Sequence, residues 1–182
     1  MKTKQLVFAA IFVALVFVTT SIIQFNISFG AGYVHFGDMT VMLSGMLLGP
    51  VFGGIASGLG SALADIQGGY AMYAPATLVV KALLAFGVGL VYKKMNGQDR
   101  DMSLVKRNVL HSVVAVIILA GGYFVSDLIL GALGLVSADG KSVLTLAAVN
   151  VIPNIFQVSV GIVMSLIFYI PLKKPFDIFF NK

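Results

Sequence analysis

The chain has 182 residues, a length typical of one domain, and 59% of them are hydrophobic while only 10% are charged. Ordinary soluble domains carry about 25% charged residues, so a soluble domain of this size could not bury so much apolar surface, and we expect an integral membrane protein. The net charge of +5 comes from basic residues outside the apolar runs. This pattern suits a membrane protein better than a nucleic-acid-binding protein.

The first predicted membrane span is residues 6–23, which is too long for a usual signal-peptide core and has no clear cleavage site after it. A crossing helix needs about 17 to 25 apolar residues. Ten of the twelve basic residues fall in three segments: before this span, between residues 93 and 107, and at the C-terminus. The positive-inside rule places all three segments in the cytoplasm. An even number of spans must then separate the first two segments. Since residues 6–23 form one span, residues 38–92 must contain an odd number. A single span would leave many apolar residues in water, so we expect three short spans there.

The sequence therefore predicts an all-α integral membrane protein with six transmembrane helices, both termini cytoplasmic, and a single transmembrane domain covering residues 1–182. Gly49-Pro50 ends the second span, which is too short to cross the bilayer perpendicularly and must be a partial crossing. Pro153 predicts a kink in the last span. In chain order, the predicted spans are residues 6–23, 38–48, 51–66, 75–92, 109–130 and 146–172.

Polar residues gather at the outer ends of these spans, and ionisable groups at membrane depth usually line a cavity or pair with one another. In the sixth span, Asn150, Asn154 and Gln157 share one helix face. The inner halves carry little polarity besides serines and His111, which we expect to reach the membrane interface. This asymmetry predicts a pocket open to the outside, because a channel should be polar along its whole length. The candidate substrate-binding residues are Tyr33, His35, Asp38, Asp65, Gln67, Tyr70, Tyr73, Lys81, Asn150 and Asn154.

Several of these residues also have a purely structural interpretation. Lys81 could pair with Asp65 or Asp38, and Asp38 could simply cap its helix. The tyrosines could belong to an interfacial aromatic belt, and the asparagines could form hydrogen bonds between helices. For Asp127 we expect a structural or loop-closing role. As a set, however, the residues are typical of a pocket for a small, polar, ring-shaped ligand on which tyrosine faces stack.

Three segments carry a resemblance to a known family: "VHFGD" opening the second span, "LLGPVFGGIASGLGSALAD" through the third, and "GYAMYAPATLVVKALLAF" into the fourth. They resemble the substrate-binding S components of energy-coupling factor (ECF) vitamin transporters. The resemblance covers most of the chain and is strongest across residues 33–92. Within the family, the chain is most similar to members assigned to hydroxymethylpyrimidine, a thiamine precursor, or to pyridoxine.

The resemblance implies a subunit of the bacterial plasma membrane that has no catalytic activity and needs no cofactor or metal. Such a subunit captures a vitamin at the outer face and docks on a membrane-embedded T component, which two cytoplasmic ATPases drive. The family's AxxxA motif on the first span, which meets the T component, corresponds here to Ala10 and Ala14, with Ala9 beside them. Tryptophan, a common stacking residue in relatives, is absent from this sequence, so stacking would fall to tyrosine or phenylalanine.

Two other classes of function are less well supported by the residues. An intramembrane metalloprotease would need glutamates that the chain lacks, and Asp38 and Asp65 lie at the membrane rim rather than in its core. A stand-alone secondary transporter or small channel would be expected to show a repeat with broken helices near the midplane. The sequence contains no convincing internal repeat.

Overall fold

The computed structural model describes residues 2–22, 24–26, 33–97, 104–136 and 142–180. Within these ranges the chain forms six α-helices and one short antiparallel hairpin, in which Gln24 pairs with His35. The predicted spans leave the segment between residues 23 and 38 without an assigned element, although Phe25, Tyr33 and Val34 are residue types that favour strands. The elements are α1 Lys2–Ser21, β1 Gln24–Asn26, β2 Tyr33–His35, α2 Gly37–Leu48, α3 Pro50–Gln67, α4 Ala74–Gly97, α5 Leu104–Ala132 and α6 Val143–Phe180.

Four of the described helices, α1, α4, α5 and α6, are long and apolar enough to cross a membrane. Helix α2 has 12 residues, which at 1.5 Å per residue gives about 18 Å. The hydrocarbon core is about 30 Å thick, so α2 reaches only part of the way across. Helices α4, α5 and α6 extend beyond the predicted spans, because the lysines and arginines that end an apolar run are good helix formers in water and do not end the helix.

The turn between α2 and α3 lies at Gly49, which has a φ of 81°, and Pro50, which is the first residue of α3. Glycine adopts this left-handed conformation without steric cost, and proline suits the first helical position because its missing N–H would have no partner there. The chain therefore reverses direction within two residues, and α2 and α3 pack side by side.

Glycines bring α2, α3 and α4 into backbone contact. A Cβ atom on Gly53 would lie 2.6 Å from the Ser44 carbonyl oxygen, and one on Gly58 would lie 2.8 Å from the Leu78 carbonyl oxygen. Any larger residue would push the helices apart, as expected for membrane helices that associate through small residues. Across the α2–α3 contact the buried hydroxyls of Ser44 and Ser57 are 2.6 Å apart and form a hydrogen bond.

The two ends of the bundle differ in polarity. We call the end that carries the β1–β2 hairpin, the α3–α4 turn and the α5–α6 connection the hairpin end. Most of the buried charged residues lie toward it, whereas the middle of the bundle is filled by apolar side chains such as Met42, Leu84 and Val88.

His111 does not reach the interface as the sequence analysis expected. Its side chain is fully buried, with Nε2 3.3 Å from the sulfur of Met42 and the imidazole against the edge of the Tyr92 ring. Helix α5 begins at Leu104, five residues before the predicted start of the span, and this places His111 two turns inside the helix.

Candidate functional site

A cavity of about 640 Å³ opens at the hairpin end, within the range of about 300 to 1,000 Å³ that is usual for small-molecule sites. It is surrounded by β2, α3, the α3–α4 turn, α4, α5, the residues that follow α5, and α6. The lining residues are His35, Asp65, Gly69, Tyr70, Met72, Tyr73, Thr77, Tyr123, Asp127, Leu135, Val136, Asn150, Pro153, Asn154 and Gln157.

Beneath the cavity lies a buried ion pair between Lys81 of α4 and Asp38 of α2, whose side chains are 1% and 0% exposed. The Lys81 ammonium donates to Oδ1 of Asp38, and the Gln157 amide of α6 donates to Oδ2 at 2.6 Å. Both carboxylate oxygens therefore have a partner. Three helices are tied together at one point, as a buried charge in a membrane requires. Gln157 also lines the cavity, so it connects the ion pair to the binding space.

His35 contributes a neutral imidazole to the cavity. The backbone N–H of Gly37 donates to Nδ1 at 3.0 Å, so the proton of the neutral ring is on Nε2. That nitrogen is 3.4 Å from the Gln157 amide nitrogen. Burial, assisted by the nearby positive charge of Lys81, lowers the pKa of His35 from 6.5 to about 4. At neutral pH the side chain therefore adds no positive charge to the cavity.

One wall of the cavity is formed by residues of α3, α4 and α5. The hydroxyl of Tyr123 lies 3.3 Å from the hydroxyl of Thr77, and Thr77 interacts with the nearly buried carboxylate of Asp65. The Tyr123 ring also covers Lys81, whose ammonium is 5.3 Å from the ring centroid, a distance at which a cation is attracted to an aromatic face. Tyr123 thus separates the cavity from the buried lysine.

A second group of lining residues is organised by Asp127 of α5. The phenol of Tyr73, in the α3–α4 turn, donates to Oδ1 at 3.2 Å, and the Asn150 amide of α6 donates to Oδ2 at 3.0 Å. Burial and the adjacent carboxylate raise the pKa of Tyr73, so its phenol remains a donor. The structural role that sequence analysis expected for Asp127 is compatible with this position, but Asp127 also lines the cavity.

The structure separates the sequence-predicted site residues into groups. Asp38 and Lys81 lie below the cavity rather than in its lining, and Gln67 is exposed at the end of α3, outside the lining. The side chain of Tyr33 falls outside the described part of the structure, although its backbone belongs to β2. The predicted residues that line the cavity are His35, Asp65, Tyr70, Tyr73, Asn150 and Asn154.

Sequence reasoning did not select four polar lining residues as binding candidates: Thr77, Tyr123, Asp127 and Gln157. A signal for two of them was present, because Thr77 precedes the candidate Lys81 by four residues and Gln157 follows the candidate Asn154 by three on the same helix face. Residues three or four apart share one face of a helix, so once one polar position is assigned to a site, its neighbours one turn away become candidates.

The three alanines expected to contact a T component are divided between two faces of α1. Ala9 is 8% exposed and belongs to the hydrophobic core. Ala10 and Ala14 are exposed, together with Val7 and Ile11. The described structure therefore leaves Ala10 and Ala14 accessible on the outside of the bundle, whereas Ala9 packs within the chain.

A six-helix membrane bundle with an aromatic and polar cavity at one end is typical of a protein that binds a small solute. The family model described as "ECF-type riboflavin transporter, S component" matches residues 1–174. The chain belongs to this family.

Two solved structures share the fold. The match to the S component of a bacterial ECF transporter covers 100% of both chains, with a TM-score of 0.64 and 22% identity. The S component for biotin from an ECF-type ABC transporter superposes with a TM-score of 0.63 and 24% identity over 94% of this chain and 92% of that one. These similarities confirm the predicted S-component fold. The family match and the four long apolar helices indicate a multi-pass integral membrane protein.

A curated relative from Pyrococcus woesei, described as an uncharacterised protein, is 42% identical over 83 residues. The matched segment makes up 46% of this chain and 55% of that protein. This relative therefore supports a shared segment and carries no information on function.

Proposed function

We propose that the chain is the substrate-binding subunit of an ATP-driven ECF importer of the bacterial plasma membrane. It captures a small water-soluble vitamin at the outer face and delivers it inward together with a T component and two cytoplasmic ATPases. The observation that carries this proposal is the cavity of about 640 Å³ at the hairpin end, in a chain whose family consists of S components. The chain itself performs no catalysis in this scheme.

The distribution of charge supports a cavity that opens to the outside. Lys93, Lys106 and Arg107 lie at the end of the bundle away from the cavity, near the end of α4 and the start of α5. Basic residues flanking spans favour the cytoplasmic side. This arrangement supports cytoplasmic termini and a cavity that opens to the outside.

For the substrate we propose a small heteroaromatic alcohol, with hydroxymethylpyrimidine and pyridoxine as the first candidates. Tyr70, Tyr73 and Tyr123 offer aromatic faces for a flat ring, while Asp65 and Asn154 offer polar contacts to hydroxyls and ring nitrogens. The family description names riboflavin, which is a larger heteroaromatic alcohol. The cavity volume accommodates a ligand larger than a single ring, so riboflavin belongs in the same test.

The packing below the cavity favours a binding subunit over a channel. On α4, Lys81, Leu84 and Val88 follow one another on the same face and are almost completely buried. Met42 of α2 is also fully buried at this level. A continuous aqueous path would need polar, accessible residues here, and the described residues instead form a closed floor.

The test is calorimetric titration of the purified chain in detergent with pyridoxine, hydroxymethylpyrimidine, riboflavin and biotin. We expect one-to-one binding of one ligand, weakened about 5- to 30-fold in His35→Ala and Asn154→Ala, since both residues line the cavity and each loses a contact worth about 1 to 2 kcal/mol. Ser159→Ala, on the exposed face of α6, is the matched control and should bind normally.

Transport assays in cells distinguish a binding subunit from an independent transporter. We expect uptake of the bound vitamin only when a T component and both ATPases are expressed with the chain. Uptake by the chain alone would favour a secondary transporter, and failure of every vitamin to bind would contradict the proposal.

A further inference from the structure

We propose that the cavity selects its ligand by charge: it takes a flat nitrogen heterocycle that is neutral or cationic and rich in hydrogen-bond donors, and it rejects vitamins that carry a carboxylate or a phosphate. This inference rests on the proposed function and specifies the chemistry of the same site.

The first observation is the charge balance of the lining. Asp65 and Asp127 contribute two carboxylates from α3 and α5, and the described lining residues include no lysine or arginine. His35 is neutral at physiological pH, since its pKa is about 4. A bound anion would therefore have no cationic partner in the described lining, and burying an unpaired anion is strongly unfavourable.

Lys81, which lies beneath the cavity in the described part of the chain, is not available to a ligand. Asp38 neutralises its charge, and the ring of Tyr123 lies over its ammonium. A ligand carboxylate could reach this lysine only by displacing Tyr123 and competing with an ion pair that is already hydrogen-bonded. The buried pair therefore removes a positive charge from the site instead of providing one.

The second observation is a surplus of hydrogen-bond acceptors. Each oxygen of Asp127 accepts one hydrogen bond, from Tyr73 or from Asn150, and a carboxylate oxygen can accept a further one. Asn150 is 9% exposed and lines the cavity, and its Oδ1 has no hydrogen-bond partner among the described residues. An unsatisfied buried acceptor is rare in proteins, and a donor supplied by a ligand, such as an exocyclic amino group, would satisfy it after a small rotation of the amide.

The third observation is the aromatic content of the walls. Tyr70, Tyr73 and Tyr123 line the cavity from the α3–α4 turn and from α5. Aromatic faces attract cations and also stack on neutral heterocycles. The walls and the acceptors therefore favour the same kind of ligand, a flat ring that carries N–H or O–H groups.

The experiment compares ligands that share one ring and differ in charge. Pyridoxamine, pyridoxine and 4-pyridoxate form such a series, and riboflavin with its 5′-phosphate forms a second one, so that either parent vitamin is covered. We expect the anionic member to bind on the order of 100-fold more weakly than its neutral parent. Biotin and nicotinate, two carboxylate vitamins, should not bind detectably.

Two variants identify the source of the discrimination. Asp65→Asn and Asp127→Asn remove one negative charge each while preserving size, and we expect the ratio between the parent and anionic affinities to fall about tenfold in each. Asp177→Asn makes the same change on the exposed surface of α6, far from the cavity, and should leave the ratio unchanged. Thermal unfolding of each variant checks that the fold is retained.

The outcomes separate the two proposals. Tight binding of biotin, or an anionic analogue that binds within about threefold of its parent, would overturn the charge-selection inference while leaving the binding-subunit function intact. An unchanged ratio in both aspartate variants would also overturn it. If none of the vitamins binds, the proposed function fails and the inference fails with it.

Discussion

The buried Asp38–Lys81 pair allows a quantitative prediction about stability. In Lys81→Met, the Asp38 carboxylate, which is 0% exposed, would keep only the hydrogen bond from Gln157. Breaking a buried ion pair by removing one partner costs about 3 to 5 kcal/mol, because an uncompensated charge remains in a low-dielectric environment. For a chain of this size, about 1 kcal/mol corresponds to roughly 2 to 4 °C, so we expect the melting temperature to fall by roughly 6 to 20 °C.

The assay is thermal unfolding in detergent of the wild type, Lys81→Met, Asp38→Asn and the double variant. In the double variant no charge is left without a partner, so most of the lost stability should return and the coupling free energy should exceed about 2 kcal/mol. Strictly additive effects of the two substitutions, or a loss below about 1 kcal/mol in Lys81→Met, would refute the view that the pair acts as one unit.

Three further outcomes follow from the packing and the charges. Gly53→Ala should destabilise the fold by about 1 to 3 kcal/mol, because the added methyl group would collide with the backbone of α2. Gly121 has open space around it, so Gly121→Ala should be neutral or stabilising in the same thermal unfolding experiment. The pKa of His35 is about 4 in the folded state and 6.5 in the unfolded state. The stability that the neutral side chain contributes is therefore complete above pH 6.5 and is lost as the pH falls toward 4, by up to about 3 kcal/mol. A His35→Gln variant should lack this part of the pH dependence. Ala10→Leu should leave ligand binding intact and reduce uptake that depends on the T component. Ala9→Leu should instead lower the melting temperature, because Ala9 packs in the core. Normal uptake by Ala10→Leu would contradict a contact between α1 and the T component.

The sequence was sufficient to predict the six helices because two independent signals agreed. The long apolar runs marked the membrane segments, and the clustered basic residues required three short helices between residues 38 and 92. The Gly49-Pro50 turn could be placed because glycine commonly ends a helix and proline suits the first position of the next one. Helix ends could not be placed as well, since helices α4 to α6 continue past the predicted spans, and hydropathy is no guide to where a helix ends outside an apolar run.

The predicted site was harder to resolve because helical spacing gives the face of a residue but not its depth relative to other helices. Asp38 and Lys81 were both selected as polar groups near the outer end, yet they satisfy each other below the cavity. Gln157 was placed on the same helix face as Asn150 and Asn154, but only the three-dimensional structure shows that it connects the cavity to the ion pair. Asp38 lies 43 positions before Lys81 and 119 positions before Gln157, so these contacts depend on tertiary packing.

Helix α1 stands apart from the cavity in a way that bears on how such proteins change over time. None of the described cavity-lining residues belongs to α1, and one long side of that helix, including Ala10 and Ala14, is open on the outside of the bundle. Substitutions that reshape the cavity therefore need not alter this surface. A gene duplicate could acquire a new ligand while keeping its outer contour, and one set of partner subunits could then serve several such proteins in the same membrane.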